Sequence, residues 1–147
     1  MHSVSLNVFE KHVECLPELQ DVFHRLLPID FKKNKIQIHH QQLEGFSGII
    51  HSLTLQTTSN RHNVLLLASL FTQFTKNDKE LIEHQKESRL NDEGVFYIRL
   101  DKSLLLQNIF QLTDGGDCFH MKIKLAAYPA TRERYFQNLH KLITMFD

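Results

Sequence analysis

Several short stretches of this chain alternate apolar and polar residues with a period of two. Residues 3–9 set Val4, Leu6 and Val8 on one side. Ile49–Thr57 sets Ile49, His51, Leu53 and Leu55 against Ser52, Thr54 and Gln56. Val95–Leu100 groups Phe96, Ile98 and Leu100, and Cys118–Ala127 groups Phe119, Met121, Ile123 and Leu125. Successive side chains of a strand point to opposite faces, so each run predicts a strand with one face on a core and the other in water. That is the habit of antiparallel sheets, because buried parallel strands read as unbroken apolar runs. Lys35–Leu43 alternates through Ile36 and Ile38 and predicts a further strand, with Gly45 and Gly48 marking a turn or bulge. Ile109–Thr113 predicts another, joined to Cys118–Ala127 by a hairpin at Asp114-Gly115-Gly116-Asp117.

Helical spacing fills the intervals. Leu16, Leu19, Val22, Phe23, Leu26 and Leu27 recur at three and four, with Pro17 in the first turn and Pro28 as the stop. Asn60 is the expected cap of a helix carrying Val64, Leu67, Ala68 and Phe71, and Asp78 that of a charged helix reaching about Leu90. Lys76–Glu93 reads as the solvated face of that helix. Residues 131–145 form a closing helix through Tyr135, Leu139, Leu142 and Ile143. Strands next to strands do not fit a doubly wound parallel sheet, which needs regular strand–helix alternation. The expected fold is α+β, a largely antiparallel sheet with helices packed on one face. With 147 residues and no repeat or linker, one domain spanning 1–147 is expected.

Composition narrows the function. Lys+Arg and Asp+Glu are 17 each, which excludes a strongly basic nucleic-acid binder but not a locally basic face. The longest apolar run, Val64–Ala68, is far short of the ~20 residues a membrane helix needs. No secretory signal is visible, and Cys15 and Cys118 lack a Cys-x-x-Cys partner, so buried thiols and a cytoplasmic location are expected. The ten histidines show no metal-ligand spacing: His39 and His40 are adjacent and would face opposite ways on a strand. There is no glycine-rich phosphate loop and no Gly-x-Ser-x-Gly elbow. Cys118 opens a strand without an adjacent base, and Asp114 and Asp117 are turn formers first. No cofactor is implied, and nothing compels an enzyme.

Strand phase supplies the candidate site. With Phe119, Met121 and Ile123 turned inward, His120, Lys122 and Lys124 turn outward; with Phe96 and Ile98 inward, so do Tyr97 and Arg99. If these strands are neighbours, the open face carries cations around an aromatic ring, as a phosphate backbone and an unstacked base require. A wet sheet face also commonly carries Lys, Arg and Thr for solubility alone. At the strand exit, Asp101 reads as a helix or turn cap. Alternatively, Asp101 orients an Arg99/Lys102 phosphate clamp.

The string Phe96-Tyr97-Ile98-Arg99-Leu100-Asp101-Lys102, with Asp114–Asp117 and Lys122–Ala130 followed by Arg132 and Glu133, resembles an archaeal family. Its members are described as predicted RNA-binding proteins or exosome-associated subunits. The likeness is strongest over residues 90–135 and continues through the first strand, Leu26-Leu27-Pro28 and Leu43-Glu44-Gly45. The family's Gly-rich segment after the second strand usually carries an Asn-Pro pair, where this chain has Gly45-Phe46-Ser47-Gly48. The resemblance implies a fold similar to ribosomal protein L5, RNA as the ligand, and archaeal RNA processing or ribosome-related work as the setting. The expected RNA contacts, from strand phase and charge, are Tyr97, Arg99, His120, Lys122 and Lys124, with Lys102 and Arg132 at the rim.

A second class of function is a protein-interaction or assembly factor, with exosome or other RNA-processing proteins as partners and little direct RNA contact. Zero net charge favours it. So does the apolar surplus of the 60–74 helix, where Leu65, Leu66, Leu70 and Phe74 would form a partner or homodimer surface unless the helix is wrapped by its neighbours on several sides. An enzyme acting on RNA or a nucleotide is a third, minor reading, resting on Asp114, Asp117 and the histidines.

Overall fold

The computed structural model describes residues 1–147. Five strands, β1 (Ser3–Glu10), β2 (Ile38–Gly45), β3 (Gly48–Thr57), β4 (Val95–Asp101) and β5 (Cys118–Lys124), form one sheet in the order β2-β3-β1-β5-β4. Every pairing is antiparallel. The central strand β1 sets Val4 against Ile123, Leu6 against Met121 and Val8 against Phe119 on one side, and Leu6 against Leu55 and Val8 against Leu53 on the other. These inward residues are buried and belong to one continuous apolar cluster with the helices.

The helices are α1 (Leu16–Leu26), α2 (Asn60–Phe71), α3 (Lys76–His84), α4 (Lys86–Arg89), α5 (Lys102–Leu106) and α6 (Arg132–Thr144). Pro17 stands in the first turn of α1, whose Leu19, Val22, Phe23 and Leu26 enter the core. Phe23 meets Phe119 edge to face across the helix–sheet interface, with centroids 5.9 Å apart. The closing helix buries Tyr135, Leu139, Leu142 and Ile143. The α+β expectation, with an antiparallel sheet covered by helices on one face, therefore holds.

Local differences have physical causes. Ser59, not Asn60, caps α2, accepting a hydrogen bond from the His62 N–H at 3.2 Å. The charged helix starts at a capping box in which Thr75 and Asp78 exchange bonds of 3.1 and 2.9 Å, so Asp78 is its third residue and not its cap. It also breaks at Gln85 into α3 and α4, after which Leu90 bridges to Phe96. Residues 109–113 form no strand: Leu112 alone bridges to Leu100, flanked by bonds from the Asp101 N–H to Gln111 and from the Thr113 N–H to Arg99. Leu100 pairs with Phe119 on its other side, so Leu112 and β5 lie on opposite edges of β4. A tight hairpin cannot join opposite edges of one strand, and Asp114–Asp117 is accordingly a crossing loop.

The apolar surplus of α2 is used internally. Leu66, Leu67, Leu70, Phe71 and Phe74 are buried, and Leu65 packs partly buried against the same cluster. Of the two readings the sequence allows, the helix is the one wrapped by its neighbours, and these residues form no partner or homodimer surface. No helix is long and apolar enough to cross a membrane.

Candidate nucleic-acid interface

The face of the sheet away from the helices carries Ser5 and Asn7 from β1, Thr54 and Gln56 from β3, His120, Lys122 and Lys124 from β5, and Tyr97 and Arg99 from β4. The register places Tyr97 beside Lys122 and Arg99 beside His120, which in turn neighbour Ser5 and Asn7. The strands that build this half of the face contribute no outward carboxylate before Asp101. The chain's zero net charge thus hides a segregation, with a cationic sheet face and acids concentrated on helices and loops.

Tyr97 and His120 stack, with centroids 5.3 Å apart and planes 21° apart, and the Lys122 ammonium lies 6.0 Å from the Tyr97 ring. Asn91 donates to the Tyr97 hydroxyl at 3.1 Å. Towards the centre of the sheet, the Asn7 amide donates to Ser52 Oγ and Thr54 Oγ1 at 2.9 and 2.7 Å, giving a neutral polar floor. Burial, then the charges of Arg99 and Lys122, push the His120 imidazole below its ordinary range, so it is held neutral.

The seven expected contact residues separate into groups. Tyr97, Arg99, His120 and Lys122 come together on the open face. Lys124 shares it, but its ammonium is hydrogen-bonded to the Glu93 carbonyl. Lys102 does not join them: it is 7% exposed, pairs with Glu10 at 3.2 Å and Asp117 at 3.3 Å, and donates to the Phe9 carbonyl at 2.7 Å. Asp101 accepts from the Leu104 N–H at 2.9 Å and caps α5, so the Arg99/Lys102 clamp is not formed. Arg132 is also structural, donating to the Leu90 and Glu87 carbonyls at 3.1 and 2.6 Å and lying over the Phe136 ring.

One contributor was hidden in the charged stretch. Arg89 of α4 is half-buried beside β4, donating from Nε to Gln85 Oε1 at 3.0 Å and from Nη1 to the Tyr97 carbonyl at 3.3 Å. Burial lowers its affinity for the proton, Asp114 opposes this and Arg99 adds to it; an arginine in such a place remains a cation. Gln85, Ser88, Arg89, Tyr97, Arg99, Thr113, Asp114 and His120 line a recess of about 430 Å³ at this edge of the face. Arg99 donates to the Asp114 carbonyl at 3.3 Å. Neither arginine, nor Lys122, forms an ion pair.

Other chemistry is not assembled. His40 Nε2 and His51 Nδ1 lie 2.8 Å apart, a cross-strand pair the sequence did not show, yet no group of three or more metal-ligating side chains is gathered anywhere. Burial pushes the Cys118 thiol up, away from the nucleophilic thiolate.

Comparison with known proteins bears on the family of the chain and on its fold. RNA-binding protein PAB1135 of Pyrococcus abyssi is 23% identical over 133 residues, covering 90% of this chain and 86% of that protein. Protein AF2318 from Archaeglobus fulgidus superposes with a TM-score of 0.82 at 22% identity, covering 96% of this chain and 98% of that one. Mth689, a DUF54 protein from Methanothermobacter thermautotrophicus, does so at 0.75 and 24%, covering 97% of each chain. At such identities the structural likeness speaks for the fold alone. The family model described as RNA binding matches residues 3–125, and the chain belongs to that RNA-binding family.

Proposed function

We propose that this protein is a non-enzymatic RNA-binding module that holds RNA against the open face of its sheet. Arg89, Arg99 and Lys122 supply phosphate contacts, while Tyr97 and His120 offer a flat surface to a base or ribose. The observation that carries this reading is the gathering of Arg89, Arg99 and Lys122 around the Tyr97–His120 stack without an ion pair, while Lys102 pairs with Glu10 and Asp117 and Arg132 with Asp92. Unpaired cations on a face whose acids are confined to Asp101 and Asp114 at its edge attract a polyanion, and each phosphate contact releases about one counterion. The RNA-processing, exosome-associated or ribosome-related setting, the likeness to ribosomal protein L5 and the cytoplasmic location enter this proposal from the sequence resemblance.

The test is charge reversal on two faces. Arg99→Glu with Lys122→Glu reverses the sheet face; Arg134→Glu with Lys141→Glu reverses exposed cations on α6. RNA affinity at fixed low salt is expected to fall about a hundredfold for the first pair and little for the second. Equal losses from both pairs, or none from the first, would overturn the proposal.

A further inference from the structure

Phosphate binding along an open sheet does not require a recess, and the arrangement at the β4 edge is more specific. Arg89 is half-buried with its guanidinium fork fixed by Gln85 and the Tyr97 carbonyl. Arg99 lines the same recess and adds like charge. Arg89 is half-buried while Arg99 is exposed, and the like charge of Arg99 disfavours the half-buried cation, so an anion shared by the two is favoured there. The only carboxylate lining the recess is that of Asp114, whose charge favours the Arg89 cation and offsets part of its burial, while Arg99 bonds only the Asp114 backbone carbonyl and keeps no ion-pair partner. The wall beside these cations is flat and aromatic, formed by the Tyr97–His120 stack, and hydroxyls of Ser88 and Thr113 complete the lining.

An anion site next to a flat aromatic platform matches a nucleotide, whose phosphate and base lie about one sugar apart. Size and access then choose between forms of RNA. A recess of about 430 Å³ is in the range of small-molecule sites and admits a single nucleotide but not a duplex. In A-form RNA the bases are stacked and paired, so no base face is free to extend the Tyr97–His120 stack. We infer that the recess takes one unpaired RNA nucleotide, its phosphate between Arg89 and Arg99 and its base against the Tyr97–His120 pair, so that the protein grips RNA at single-stranded positions. This rests on the reading of the open face as the RNA surface, and names which form of RNA that face selects. His120 is held neutral in the free protein, and its ring lies against Tyr97 as a stacking surface beside the phosphate site.

Two probes separate this inference from its foundation: a fluorescent oligouridine of about ten nucleotides, which does not pair with itself, and a blunt RNA duplex of similar charge. Wild-type protein is expected to bind the oligouridine about tenfold more tightly than the duplex at equal salt. Arg99→Gln, which removes one surface bond, and Arg89→Lys, which keeps charge but loses the fork, are each expected to weaken oligouridine binding about tenfold and duplex binding about twofold or less. Circular dichroism melts confirm folding, and Arg99→Gln carries the test if Arg89→Lys does not fold. Equal weakening on both probes, or a preference for the duplex, overturns the nucleotide recess while leaving RNA binding by the sheet intact. Failure of wild-type protein to bind either probe overturns both.

Discussion

Tyr97 and His120 stand on adjacent antiparallel strands and stack at 5.3 Å although they are not register partners: Tyr97 pairs with Lys122, and His120 with Arg99. The diagonal contact places an aromatic surface between two cations. Removing one ring should therefore damage binding without touching the core. Tyr97→Ala is expected to weaken oligouridine binding about tenfold, in line with ~1–3 kcal/mol per stacked base. Tyr97→Phe, which loses only the bond from Asn91, should stay within about twofold. Fluorescence anisotropy at one salt concentration measures both.

His120 also sets a pH dependence. Burial and then the Arg99 and Lys122 charges lower its folded value below the ordinary 6.5. The unfolded chain therefore takes up that proton first, and stability falls as pH drops through about 6.5. A bound phosphate near Arg99 and His120 acts oppositely, raising the imidazole pKa, so RNA affinity should rise on acidification. Urea melts and binding curves from about pH 7.5 to about 5.5 are expected to show both trends, each smaller in His120→Gln.

Lys102 separates stability from binding. It is buried between Glu10 and Asp117, and Lys102→Ala leaves Glu10 without its cation in a nearly buried position. A loss of about 3 kcal/mol in denaturant stability is expected, with RNA affinity of the folded fraction unchanged. Burial raises the Glu10 carboxyl, but the Lys102 hydrogen bond and charge, with the Lys11 and His12 N–H groups, outweigh it and hold it below 4.5. The pair's contribution is thus present above about pH 4.5 and lost as pH falls through the lower folded value.

Gly94 fixes the entry to β4. Its φ is +82°, and a Cβ there would meet the Tyr135 ring at 2.5 Å. Gly94→Ala combines a strained backbone with a clash against α6, and should cost at least about 1 kcal/mol in a chemical melt.

Much of this architecture is legible in the chain because half-buried strands announce their phase. Val4, Leu6 and Val8, or Phe119, Met121 and Ile123, fix which side chains face outward, and Tyr97, Arg99, His120 and Lys122 follow from the same alternation. What periodicity cannot show is where a long cation ends. Lys102 follows the strand exit, but a carboxylate ninety-two positions earlier in the chain, Glu10, draws it inward. Arg89 looked solvated because it lies in a run of charged residues. The helix break at Gln85, made without a Gly or Pro, turns it onto β4, and Leu90 then bridges to Phe96. Ile109–Thr113 has a strand's composition but only one bridge, Leu112 to Leu100, between α5 and the crossing loop.

The central claim is that RNA lies on the open sheet face, and side-chain resonances report that most directly. In protein labelled at Tyr, Phe and His, titration with oligouridine is expected to shift the Tyr97 and His120 ring signals while leaving those of Tyr135 and Phe23, buried under the helices, unmoved. Shifts confined to Phe136 and His140 on α6, with Tyr97 and His120 silent, would contradict it.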